Sequence, residues 1–161
     1  MDIEIREHIS VSEKLKSFNI SPPSGLAVVP CNLAAAKSLG DLRQHAESDT
    51  VRTLLKANKI SHVELFDEDH QPPYLQQYGY DWFGPTLFVP AALLLQNPSV
   101  LSVTLGLITN YLYDLFKGDK DGKASLDVIL QLADGSCKEI HYAGPPEGLI
   151  KVAEIVKNLQ G

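Results

Sequence analysis

The feature that most constrains this chain is an uncharged stretch from Trp82 to Tyr113, closed by Asp81 on one side and Asp114 on the other. It falls into two pieces. The first, Gly84 to Gln96, is apolar but carries Pro85 and Pro90. Proline removes a backbone donor and obstructs a continuous helix. This piece therefore predicts an extended or irregular start and then a short helix over roughly residues 91–96. The second piece opens with Asn97-Pro98, an N-cap residue followed by a proline suited to the first helical position. A helix is expected from there to about Lys117, with Gly118 as its stop.

Apolar side chains cover most of that helix, leaving a narrow stripe of Ser99, Ser102, Gly106, Thr109, Asn110 and Tyr113. Such a helix is normally buried, and the Ser102-x-x-x-Gly106 spacing would let another backbone approach closely. A bilayer span needs about 20 predominantly apolar residues. This helix reaches that length only by including polar positions and Asp114, and no Lys/Arg cluster flanks it. The expectation is a core helix; the alternative is a membrane-active protein that releases this helix into a bilayer when triggered.

At 161 residues the chain is large enough for a real core without staples. Its apolar content of 44% and charged content of 21% are those of an ordinary globular domain. A net charge of −6 with scattered basic residues argues against a nucleic-acid partner. The opening Met-Asp-Ile-Glu-Ile-Arg-Glu lacks the apolar run of a secretory leader. With Cys31 and Cys137 far apart, the expectation is a cytoplasmic protein with free thiols.

Along the chain, Ile3 and Ile5 alternate with charges, which suggests a short edge strand or an arm. Ser10-Val-Ser-Glu13 is a capping-box pattern that predicts a brief helix with Val11, Leu15 and Phe18 inward. Ser21-Pro-Pro-Ser-Gly25 reads as a turn or linker, so residues 1–24 form an N-terminal arm and residues 25–161 a single domain. Leu26–Val29 reads as a buried strand, residues 31–47 as a loop with one or two helical turns. A helix capped by Ser48 or Asp49 should end near Asn58, and His62–Phe66 should be a strand. Asp67–Asp81 is a long polar loop. Leu126–Leu132 and Ser136–Tyr142 flank Asp134-Gly135, a strong hairpin signal. Leu149, Val152, Ala153, Val156 and Leu159 have the spacing of a last helix. Together these predict an α/β (α+β) fold: a small four-stranded mixed sheet with a C-terminal β-hairpin, covered by the long central apolar helix and two further helices.

Candidate chemistry is sparse. Asp67-Glu-Asp-His70 groups oxygens and an imidazole, but neighbouring residues cannot all face one ion. Asp119-x-Asp-Gly122 starts like a calcium loop and then fails at Lys123 and Leu130. No local signature marks either cysteine as a nucleophile. Cys137 and His141, four apart on one strand face, would stand roughly 13 Å apart, too far for proton transfer. Gly144-Pro-Pro-Glu-Gly148 lacks the backbone donors of a phosphate loop. No catalytic residue, metal ligand or cofactor site is therefore assigned. Tyr74, Tyr78, Tyr80, Trp82 and Phe83 are the candidate partner-binding residues, since loop aromatics are enriched at interfaces. The competing reading has Trp82 entering the core with the tyrosines packed around the loop base.

Three segments carry a family likeness: the helix ending Tyr111-Leu-Tyr-Asp-Leu-Phe-Lys117, the hairpin Leu126-Asp-Val-Ile-Leu-Gln-Leu-Ala-Asp-Gly135, and Tyr142-Ala-Gly-Pro-Pro-Glu-Gly-Leu149. In these the chain from about Ser48 onward resembles the effector-associated constant components, small bacterial proteins encoded beside conflict-system effectors and signalling NTPases. Residues 1–45 have no counterpart. The resemblance supplies no catalytic residues. It implies an adaptor role in bacterial immunity. The missing catalytic signature and the aromatic loop add the expectation of a cytoplasmic adaptor or regulatory component that docks onto a larger effector or signalling protein, with self-association left open. A small-ligand sensor or an enzyme with a dispersed site is the further alternative.

Overall fold

The structure is a computed structural model and describes residues 2–75, 82–116 and 122–160. Strands β1 (Asp2–His8), β2 (Ala27–Val28), β3 (Trp82–Phe83), β4 (Thr86–Val89), β5 (Lys123–Gln131) and β6 (Cys137–Gly144) form one mixed sheet. Its order is β1-β6-β5-β4-β2, with β3 paired to the start of β5. β3 and β4 run parallel to β5 along the same edge and act as one strand interrupted at Gly84-Pro85. Helices α1 (Val11–Ser17), α2 (Glu47–Ala57), α3 (Ala91–Gln96), α4 (Val100–Leu115) and α5 (Ile150–Gln160) cover its two faces.

On one face, α2, α4 and α5 pack against alternate strand residues. Leu101, Leu105, Ile108 and Leu112 of α4 join Leu87, Val128 and Ile140 of the sheet in a single cluster. Burying each such side chain contributes roughly 1.5–3 kcal/mol. On the opposite face, α1 and the 31–42 segment cover Ala27, Phe88, Ile129 and Cys137. Ser10 caps α1 as its sequence implies: its Oγ accepts from Glu13 N–H at 3.2 Å, and Val11 and Leu15 are fully buried. The hairpin turns through Gly135 at φ +90°, a backbone conformation in which glycine is at ease.

Several expectations are corrected. Residues 62–66 form no strand: only Val63 reaches the sheet, through an isolated parallel bridge to Ala27. The extended start expected before the 91–96 helix is a strand inside the sheet, bracketed by its two prolines. Pro85 contributes a carbonyl, accepting from Asp127 N–H at 3.2 Å, and Pro90 precedes α3. Of the four strands anticipated, Leu26–Val29 and the two hairpin strands are present and His62–Phe66 is not; β4 joins them, and the Ile3/Ile5 segment is the edge strand β1. The central helix starts at Val100 with Ser99 at its N-cap, because Asn97 closes α3. α2 begins at Glu47, with Ser48 buried in its first turn instead of capping it. No described residue approaches within 4 Å of where a Gly106 Cβ would stand, so the small-residue spacing receives no neighbouring backbone. The expected helix end at Lys117–Gly118 and most of the turn after it lie outside the described residues.

The uncharged stretch is only partly hidden. Its strand and the inner face of α4 are buried, while Leu95 is 85% exposed and Val103 and Tyr113 are about half exposed. α4 has 16 residues, about 24 Å of helix, against a hydrocarbon core of about 30 Å. Among the described residues no helix is long and apolar enough to cross a membrane.

Candidate functional site

The aromatic segment is flanked by two fixed stretches of chain. Its first stem, Gln71–Leu75, is pinned by Gln44, a loop residue only 3% exposed. Gln44 N–H donates to Pro73 O at 3.0 Å, and Leu75 N–H donates to Gln44 O at 2.8 Å. The Gln44 side chain works in the same place. Its Nε2 donates to Pro72 O at 2.8 Å, and its Oε1 accepts from Arg52 Nη2 at 2.8 Å. A buried amide is stable only when its donor and acceptor are both met, and here both are. The second stem is β3, held by its pairing with Lys123 and Ala124 of β5.

Arg52 ties this stem to α2. Its guanidinium bonds the carboxylate of Asp49, and its Nε lies 3.8 Å from Glu64. Glu64 in turn faces His62 Nε2 at 3.1 Å. Tyr74 donates its hydroxyl to the same Asp49 carboxylate. Burial pushes Asp49 up, but the bonds from Tyr74 and Arg52 outweigh it and hold the carboxyl below its ordinary value. The phenol of Tyr74 is raised by that bond first and by burial second, so it remains a donor at neutral pH. With its hydroxyl fixed, the Tyr74 ring is 52% exposed, and Leu75 beside it is 40% exposed.

Of the candidate partner-binding residues, Tyr74 therefore stands on a fixed stem and faces solvent. Trp82 and Phe83 are placed by their backbone in β3. Tyr78 and Tyr80 lie outside the described residues. From the sequence Asp49 is expected only as a possible helix cap, and Gln44 and Arg52 carry no assigned role. The helical spacing of Asp49 and Arg52 was a signal for their ion pair, whereas nothing local marks Gln44.

A second polar group lies on the sheet face opposite α4. Asp127 and His141 stand opposite each other in the hairpin register, with Asp127 Oδ1 and His141 Nδ1 2.5 Å apart. A carboxylate held on Nδ1 orients an imidazole and leaves Nε2 for hydrogen bonding or proton transfer. Glu139 lies beside them. Burial first, then the charge of Asp127, pushes its carboxyl above the ordinary value, against the pull of His8 and Arg6. Cys31 and Cys137 are free, and burial raises both thiols, Cys31 with help from Asp127. A raised thiol is mostly protonated at neutral pH, which opposes nucleophilic use. The hairpin register pairs residue 127 with 141, so the Asp134-Gly135 turn carries the sequence signal for this contact. Asp67 and His70, from the acidic turn, are largely exposed.

Comparison of the chain with family models, curated proteins and solved structures gives no match.

Proposed function

We propose that this protein is a non-enzymatic cytoplasmic adaptor or regulatory component that docks onto a larger effector or signalling protein in a bacterial conflict system. One observation carries the docking half of this reading. The aromatic segment is bracketed by two fixed stems, and exposed Tyr74 and Leu75 sit on the first of them. Binding residues are disproportionately found on loops held by a rigid scaffold. Fixing the stems in advance lowers the ordering cost of association. Large, stiff aromatic side chains then supply contact area at the centre of an interface. The bacterial-immunity half rests on the resemblance of the end of α4, the hairpin and the Tyr142–Leu149 entry to α5.

The test is co-purification with the effector encoded beside this chain, followed by affinity measurement with Leu75→Glu and Tyr78→Ala. Circular dichroism and thermal melts check that each variant folds. Loss of a central interface residue typically costs about 2 kcal/mol or more, roughly 30-fold in affinity. Unchanged affinity in both variants would remove the aromatic segment as the docking site.

A further inference from the structure

β1 leaves a long main-chain edge open. Its inner side pairs with β6 from Asp2↔Ala143 to His8↔Cys137, and among the described residues nothing pairs with its outer side. The other end of the sheet differs. β2 is two residues long, and Val63 covers its flank, its N–H donating to Leu26 O at 2.8 Å. An open edge is a row of donors and acceptors ready to pair with a further strand.

The charges along β1 decide which strand suits it. Positions 2, 4, 6 and 8 belong to the face carrying Asp127 and His141; positions 3, 5 and 7 belong to the face carrying α4. Two copies of β1 related by a two-fold axis through the sheet would run antiparallel, and partners would share a face. A register centred on position 4 sets Glu4 against Glu4, and one centred on position 6 sets Arg6 against Arg6. Centring on Ile5 sets Ile5 against Ile5, and Glu4 against Arg6 twice. Among these three registers it alone opposes no like charges. Glu7, which would then face Ile3, already binds Lys138 Nζ at 3.0 Å.

The same register extends a ladder already present within one copy. Asp127, His141 and Glu4 occupy one row, and Arg6 and Glu139 the next. Across the axis the row would run Asp127, His141, Glu4, then Arg6 and Glu139 of the second copy, with acidic and basic groups alternating throughout. Opposite charges on facing strand positions are stabilising and like charges are not. Ile5, 48% exposed, would lose water against its counterpart.

We propose that the free β1 edge takes a second copy of this chain, joining two sheets into one through an antiparallel pair centred on Ile5. The interface is isologous, with each contact made twice. Charges on an edge strand ordinarily deter foreign strands. Here their order deters others and admits the copy, since specificity is a difference between partners.

Sedimentation velocity across a concentration series tests this. The wild-type mass is expected to rise from one chain to two. Ile5→Lys and Ile5→Glu each set like charges against one another at the axis and should weaken dimerisation about tenfold or more, roughly the effect of 1.4 kcal/mol. An equimolar mixture of the two variants should restore it, because Lys then meets Glu. Ile5 is half exposed, so folding should survive, and thermal melts verify this. As a second pair of variants, Arg6→Glu alone should dissociate the dimer, while Glu4→Arg combined with Arg6→Glu should re-form it. A wild type that stays monomeric at every concentration overturns the proposal. So does a dimer unaffected by Ile5→Lys, or a mixture that fails to recover.

Discussion

Replacing Gln44 with alanine probes the joint between fold and docking segment. The substitution removes the Nε2 donor to Pro72 O and the Oε1 acceptor of Arg52, both at 2.8 Å, from a side chain that is almost fully buried. A neutral hydrogen bond contributes about 1 kcal/mol net, and one to a charged group about 1.5–3 kcal/mol. The lost methylene adds about 0.8 kcal/mol. Arg52 keeps Asp49 and Glu64, so the lower figure for the charged bond applies. The expected loss is about 3 kcal/mol in urea unfolding. The backbone bond from Leu75 N–H to Gln44 O at 2.8 Å remains in principle, but without side-chain support the stem should open more often. Amide exchange at Leu75 should therefore accelerate by more than the global loss of stability requires. Gln44→Glu distinguishes the two bonds: it keeps an acceptor for Arg52 but sets a carboxylate oxygen against Pro72 O. A Gln44→Ala change below about 0.5 kcal/mol, with unaltered exchange at Leu75, would refute the reasoning and with it the claim that this stem is fixed.

Two further outcomes are expected. Phe88→Ala empties a fully buried position of β4, between Ala27 and Ile129 in the sheet register, and should cost about 3–5 kcal/mol in a denaturation curve; a loss under about 1 kcal/mol would deny β4 its central place. Glu139 binds its proton more tightly in the folded chain than in the unfolded one, because burial and then Asp127 raise its carboxyl. It therefore costs nothing below the unfolded value near 4.5, and stability falls as pH rises through the higher folded value. Glu139→Gln should match the wild type near pH 4 and exceed it at pH 7. A wild type that is the more stable at pH 7 contradicts this.

Some of the molecule could be read one segment at a time. The Ser10 N-cap, the Asp134-Gly135 hairpin, the short helix over residues 91–96 and the buried positions of α5 depend on residues a few places apart. Their spacing and turn chemistry act locally, and the structure places all of them as the sequence implied. The candidate site was legible only as an aromatic cluster.

The sequence by itself determined those local elements and the need to bury most of residues 82–113. The tertiary structure decided which extended segments pair. Residues 62–66 alternate like a strand, yet only Val63 finds a partner, while Thr86–Val89 between two prolines becomes central because both its faces are covered. It also decided that Gln44 is buried, since its amide bonds a carbonyl 28 residues away. A strand's backbone groups and a loop's lone amide are satisfied by whatever distant segment reaches them first and packs best. No periodicity records that choice, because it is a competition between the entropy of closing long loops and the area each closure removes from water.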